Sequence, residues 1–318
     1  MKWNIVADSS CDIFTLKDIA PDTGFTTIPF EITIGEKNFI DDENLDIEEM
    51  MQTMYASKAA AGSACPGPGK WEEEFLKADY SVAFTISSSL SGSFSSANVA
   101  AHEVMTSHPE KNVYVFDTLS TSGEMVLAIE YLNSLIKEGL EFEEIIDKVG
   151  EYLLKARLMF ALSKFTNLVK TGRMNKVAGL AAELISMRGL GAASREGKIK
   201  IIGKARGDNK LIAQIVSEME RTGYENGSVV IGHRNNLRSA ETLKAKIEEK
   251  WPGSKIRIIE LRGLCSFYAE DKGVIIGYYS DNMTVRTDDH RFHLNLKFNI
   301  NNIFKNYLKK EDKSDKQS

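Results

Sequence analysis

Val82-Ala83-Phe84-Thr85-Ile86-Ser87-Ser88-Ser89-Leu90-Ser91-Gly92-Ser93 begins as an apolar run and ends as a serine-rich turn. Residues 82–86 read as a strand buried on both faces, and 93–106 as a helix that follows at once. A strand feeding a helix through a short turn is the repeating unit of α/β folds. Strands at 4–7, 26–34 and 113–116 lie around this unit, with helices at 47–56 (Asp46 as N-cap), 71–77 and 123–137. That alternation predicts a mostly parallel sheet flanked by helices. A helical stretch over 142–158 then leads to strands at 159–163, 198–202, 228–232, 256–261 and 274–279, with helices at 210–221 and 238–250. Phe292, Leu294, Leu296, Phe298 and Ile300 alternate with polar residues, a period of two that predicts one more strand. The expected architecture is therefore two α/β domains. Residues 1–158 form the first, and 159–308 form a smaller mixed sheet with helices and the added tail strand. Residues 309–318 form a flexible, charged tail.

Length and composition fit this reading. The 318 residues are 42% hydrophobic and 27% charged, which excludes wholesale disorder. A net charge of -5 argues against broad nucleic-acid binding, which leaves a basic footprint. Cys11, Cys65 and Cys265 are odd in number and far apart. With no Cys-x-x-Cys pair, neither a zinc ribbon nor a thioredoxin-type site is available, and a reducing cytoplasm fits. Asp8 interrupts the opening MKWNIVADSS, so no apolar signal core is read there, and no apolar run approaches the roughly 20 residues of a membrane span. The expected location is cytoplasmic, with only transient membrane contact.

The serine-rich turn sits at the carboxyl end of a parallel strand and opens a helix. Free N–H groups of the first helical turn and the helix dipole make such a place an anion site. Ser87, Ser88, Ser89, Ser91 and Ser93 add hydroxyls, and Gly92 lets a ligand approach the backbone. The plainer alternative makes Ser91 a helix cap. Ala61 to Gly69, with two prolines and three glycines, reads as a stiff loop whose Ser63 can offer a hydroxyl to the same ligand. It is not a P-loop, because Ala64 and Trp71 stand where Gly and Ser or Thr are required. Ser91 is not in a nucleophile elbow either, since Ser89 and Ser93 occupy the glycine positions. His233 is the only histidine placed after a strand, and a hydrogen-bonded structural role is the commoner one. Asp288, Asp289, His290 and His293 have metal-ligand types, but polar side chains facing water at a strand start explain them better. Asp41-Asp42-Glu43 reads as a solvated turn, and Asp8 and Asp117, each ending a strand, as structural acids. Arg173 and Arg206 follow a helix and a strand on loops of the second half, where arginines can pair with carboxylate or phosphate.

Taken in order, these pieces resemble the DegV family. Ile5-Val6-Ala7-Asp8-Ser9-Ser10 is similar to its opening strand, and Ser63-Ala64-Cys65-Pro66 stands where the family has Thr-Ser-Gln-Pro. Ile86-Ser87-Ser88-Ser89-Leu90-Ser91-Gly92-Ser93-Phe94 resembles its Ile-Ser-Ser-Gly-Leu-Ser-Gly-Thr-Tyr. Val115-Phe116-Asp117-Thr118, Thr171-Gly172-Arg173 and Lys204-Ala205-Arg206 resemble further segments. The resemblance runs from about residue 4 to 279. One departure stands out. Where the family carries His-Thr-Gly-Pro-Gly, this chain reads Ala269-Glu270-Asp271-Lys272-Gly273.

The resemblance implies a non-enzymatic carrier of bacterial phospholipid metabolism, with a long-chain fatty acid in a tunnel between the two domains. It implies that Ser63, Ser91, Gly92 and Ser88 hold the carboxylate. It also implies that Arg173 and Arg206 contact a separate ATP-binding fatty acid kinase subunit, which forms the acyl phosphate. No cofactor, metal or nucleic acid is expected, and the chain is expected to be a monomer or weak dimer. Two other readings compete: a hydrolase or acyltransferase centred on Ser91, and an interaction module whose 292–300 strand pairs with another chain.

Overall fold

The computed structural model describes residues 1–174 and 187–285. The expected tail strand, the Asp288 to His293 group and the 309–318 tail lie outside the described residues.

The first sheet holds β1 (Trp3–Asp8), β2 (Thr23–Ile28), β6 (Tyr80–Thr85) and β7 (Asn112–Asp117), in the order β2-β1-β6-β7 and all parallel. All six residues of β1 are buried, as expected of a central parallel strand covered on both faces. One face packs Val6, Ala83 and Val115 under α2 (Pro68–Phe75) and α3 (Ser93–Ser107), through Trp71, Phe75, Ala97 and Val104. A small antiparallel layer, β3 (Glu31–Ile34), β4 (Lys37–Ile40) and β5 (Ala61–Ala64), runs in the order β4-β3-β5. Its apolar face joins α1 (Ile47–Ala56), where Asp46 is the N-cap and accepts from the Glu49 N–H at 2.9 Å. The expected strand over 26–34 is thus two strands belonging to different sheets.

α4 (Ser122–Glu138) is buried around nearly its whole circumference, as a helix gripped from two sides must be. One side meets the β1–β2 connection, where Asn133 accepts from the Ala20 N–H at 2.8 Å and donates to the Asp18 carbonyl. Another side lies on the second sheet. A Cβ on Gly123 would stand 2.7 Å from the Val230 carbonyl oxygen and 2.8 Å from the Gly277 nitrogen, so only glycine fits. α5 (Phe142–Lys155) brings Phe142 against Trp3, with ring centroids 5.9 Å apart.

The second sheet is mixed and six-stranded: β8 (Arg157–Leu162), β9 (Arg188–Ala193), β10 (Ile199–Ala205), β11 (Ser228–His233), β12 (Lys255–Glu260) and β13 (Val274–Tyr279). Its order is β10-β9-β8-β13-β11-β12, and only β11–β12 is parallel. The expectation of a smaller second sheet is therefore corrected. Part of the difference is β9, Arg188-Gly189-Leu190-Gly191-Ala192-Ala193, which has no β-branched or aromatic residue to mark it as a strand. α7 (Asp208–Arg221) and α8 (Leu237–Lys250) cover one face of this sheet. Alternation in β8 turns Met159 and Ala161 to that side, and Leu158, Phe160 and Leu162 to the other. The other face looks toward α6 (Thr166–Lys170), α9 (Gly263–Ala269) and the first domain.

Candidate functional site

The turn between β6 and α3 is held by two acids at strand ends. Asp8 is fully buried. Its Oδ1 accepts from the Ser10 hydroxyl (2.5 Å) and the Ser10 N–H (3.3 Å). Its Oδ2 accepts from the Ile86 N–H (2.9 Å) and the Ser93 hydroxyl (2.6 Å). Burial pushes its pKa up, against the pull of those donors. Asp117 Oδ1 accepts from the N–H groups of Ser88 (3.0 Å) and Leu119 (3.1 Å).

The five serines of the turn divide sharply. Ser93 is committed to Asp8, Ser87 donates to the Gly197 carbonyl (2.8 Å), and Ser89 to the Glu196 carbonyl (2.5 Å). Ser87 and Ser89 therefore clasp the connection between β9 and β10. Ser88 is exposed and does not line the cavity described next. Ser91 does line it. Its oxygen accepts from the Ser93 N–H at 3.3 Å, which leaves its hydroxyl hydrogen available. The residue at the N-cap of α3 is Gly92, not Ser91, and its backbone is ordinary (φ -77). A Cβ there would touch Cys65 Sγ at 3.6 Å, so Gly92 packs the turn against the end of β5.

Ser63 reaches the same cavity from the other side. The first four residues of the expected loop are strand β5, in which Ser63 pairs with Ile32. Its hydroxyl is 2.9 Å from the Tyr268 hydroxyl on α9. Arg173 also faces the cavity. Its Nε donates to the Leu90 carbonyl (3.3 Å), Nη1 to the Thr171 carbonyl (2.9 Å), and its guanidinium carbon is 5.9 Å from the Tyr268 ring centroid. Arg206 is exposed on the loop after β10 and does not line the cavity. The structure thus brings Ser63, Ser91 and Arg173 to one cavity, and sets Ser88, Gly92 and Arg206 outside its lining.

Around that polar cluster the wall is hydrocarbon: Phe30 and Ile86 from the first domain, and Leu158, Phe160, Leu162 and Ile275 from the second sheet. Counting its mouth, the lining surrounds about 730 Å³ of space not filled by atoms, of which about 100 Å³ is wide enough to seat the centre of a water molecule. The volume is of small-ligand size and the bore is narrow, a shape suited to a thin apolar chain. Arg173 is the one charged side chain among the described lining residues. A negatively charged head beside Ser63, Ser91, Tyr268 and Arg173, with an apolar tail beyond, matches this distribution.

Sequence reasoning missed Tyr268, because α9 carries no helical apolar period and nothing distinguishes this tyrosine from the other nine. It also misread Asp41. That carboxylate is buried, not solvated, and accepts from the Gly263 (2.7 Å) and Leu264 (2.9 Å) N–H groups, pinning the start of α9 to the small layer. Nearby Asp12 accepts from the Arg262 N–H at 2.7 Å, and burial raises its pKa to about 7. His233 is buried, and its Nδ1 accepts from the Asn236 N–H at 3.5 Å. Burial lowers its pKa, and it does not line the cavity. Among the described residues no group of three or more His, Cys, Asp or Glu is placed to hold a metal ion, and no helix is long and apolar enough to cross a membrane.

Fold and site together define a two-domain α/β protein with an apolar interdomain cavity closed at one place by hydroxyls and a guanidinium. A family model described as "Uncharacterised protein, DegV family" matches residues 2–281, and the chain belongs to the DegV family. A DegV domain-containing protein of Streptococcus gordonii is 42% identical over 278 residues, which are 87% of this chain and 99% of that one. Among solved structures, the Streptococcus pneumoniae fatty acid kinase (Fak) B3 protein loaded with linoleic acid is 40% identical. It superposes with a TM-score of 0.86 over 88% of this chain and 100% of its own. A DegV family protein of Eubacterium eligens loaded with heptadecanoic acid is 34% identical, with a TM-score of 0.83 over 87% of this chain and 99% of its own.

Proposed function

We propose that this protein is a carrier that binds a long-chain fatty acid between its two α/β domains and presents the carboxylate to a separate kinase subunit. The observation that carries the reading is that the Ser63 and Ser91 hydroxyls, from different layers of the fold, open on one narrow apolar cavity beside Arg173. Burying a chain of about 16 carbons at ~0.8 kcal/mol per CH₂ supplies ample gross affinity. The carboxylate must find donors or its desolvation cancels that gain. Hydroxyls from Ser63 and Ser91 supply those donors without a catalytic base, while the expected Ser88 and Gly92 lie outside the lining and serve only to shape the turn. Likeness to proteins solved with linoleic and heptadecanoic acids supports the ligand class. Likeness to a fatty acid kinase B protein supports the kinase partnership, with Arg173 at the cavity and exposed Arg206 as its contacts.

Mass spectrometry of the purified protein after organic extraction tests this. A co-purified long-chain fatty acid, and affinity for added palmitate or oleate that falls in Ser63→Ala and Ser91→Ala, are the expected results. No extracted acyl ligand together with no binding of either acid would refute the carrier. Unchanged affinity in both variants would refute the head-group assignment alone.

A further inference from the structure

We infer that Gly191 sets the width of the acyl cavity by giving the Phe160 ring a place to lie flat on the sheet, so that this pair selects which hydrocarbon chains fit. The inference rests on the fatty-acid reading and adds a specificity device that lies away from the head group.

Phe160 is the middle of the three β8 residues that face the cavity, between Leu158 and Leu162. In the sheet register it stands directly opposite Gly191 on β9, and opposite Ile275 on β13. Directly paired residues share a face, so any side chain at 191 would point to the cavity side of the sheet. The tip of the Phe160 ring already fills that place. A Cβ built on Gly191 would fall 2.1 Å from Phe160 Cζ, 2.3 Å from Cε2 and 3.0 Å from Cε1. The ring has therefore folded sideways across the strand gap onto bare backbone, the cross-strand arrangement in which an aromatic covers a glycine.

Gly191 is not among the residues with positive φ, so room and not backbone conformation is what the glycine supplies here. Any larger residue must lift the ring. Leu158 and Leu162 flank the ring along the strand, Ile275 stands opposite on β13 and Ile201 beyond Gly191 on β10, the Phe165 ring centroid is 6.4 Å away, and the sheet lies beneath. The empty space beside it is the cavity that Phe160 lines, and a displaced ring moves into that space. Because the conflicting atoms are the far end of one side chain and not backbone, the fold can absorb the change while the bore cannot.

The test uses the delipidated full chain and titration with palmitate and oleate. Gly191→Ala is expected to fold, by an unchanged circular dichroism spectrum, and to bind palmitate roughly tenfold more weakly, the equivalent of one or two methylenes displaced from the cavity. Adding Phe160→Leu to Gly191→Ala should restore affinity to within about threefold, because a shorter side chain clears the bore again. Phe160→Ala alone, with Gly191 intact, should raise the oleate-to-palmitate affinity ratio at least threefold, since a bent chain needs the extra width. That last variant decides the matter if Gly191→Ala fails to fold. Wild-type affinity in a folded Gly191→Ala, failure of Phe160→Leu to rescue it, or an unchanged ratio in Phe160→Ala would each overturn the inference while leaving the carrier standing. A wild-type protein that binds neither acid would instead overturn the carrier and this inference with it.

Discussion

Asp12→Asn should make the protein more stable at neutral pH. Asp12 is 4% exposed, its Oδ1 takes the Arg262 N–H at 2.7 Å, and the Ser122 hydroxyl and Cys265 thiol lie beside the carboxyl. Burial raises its pKa from 3.8 to about 7, with the nearby Asp41 charge adding to the rise and Ser122 and the Arg262 N–H opposing it. A carboxyl whose folded pKa lies above its unfolded one binds its proton more tightly in the native state. The stability it confers is present below pH 4 and is lost as the pH climbs through 7. A shift of this size corresponds to about 4 kcal/mol as an upper bound. Asparagine keeps the oxygen for Arg262 and places an amide where the Ser122 hydroxyl can accept from it instead of donating. It also tolerates the left-handed backbone at this position, where φ is 63. Urea unfolding at pH 5 and pH 8, with the slope m unchanged, reads the effect as a shift of midpoint. The variant should gain on the wild type as the pH rises, with the slope due to the other raised carboxyls, Asp8, Asp41, Glu130 and Glu270, present in both proteins. Parallel profiles for the two proteins would refute the assignment of this carboxyl as a buried, costly charge.

Asp8→Asn should do the opposite and destabilise by roughly 1–3 kcal/mol in urea unfolding, because each carboxylate oxygen faces a backbone N–H (Ser10 or Ile86) and the amide meets one of them donor to donor in either orientation. Tyr268→Phe removes the hydroxyl 2.9 Å from Ser63 and should weaken fatty-acid binding about tenfold in calorimetric titration while leaving the melting temperature nearly unchanged. Gly123→Ala should lower stability by roughly 1–3 kcal/mol, seen as a lower melting temperature, since its methyl would collide with backbone atoms of β11 and β13.

Much of the framework was legible because apolar runs and polar turns alternate cleanly: β1, β6, β7, β11, β12 and β13 each follow from a short β-branched or aromatic run. The Ser91 turn was legible for the same reason, lying where such a run breaks into small polar residues ahead of a helix. What was hidden depended on partners distant in sequence. Counting serines promised five donors, yet Ser87, Ser89 and Ser93 are spent on Gly197, Glu196 and Asp8, which no local pattern reveals. Asp41 begins an acidic triplet that looks solvated, and only the approach of two N–H groups more than 200 residues away makes it an internal anchor. Tyr268 escaped notice because α9 is buried on too many sides to show a period, and β9 because its Gly191 is explained by the Phe160 ring and not by strand propensity.

The close seating of α4 on β11 and β13 bears on how the chain can be divided. This helix precedes every strand of the second sheet in sequence, yet its backbone at Gly123 sits directly on that sheet's backbone at Gly277. Cutting between α4 and β8 would strip one half of its central pillar and leave the other with a bare apolar rod. Co-expressed halves should consequently reassemble, whereas either one made alone should aggregate.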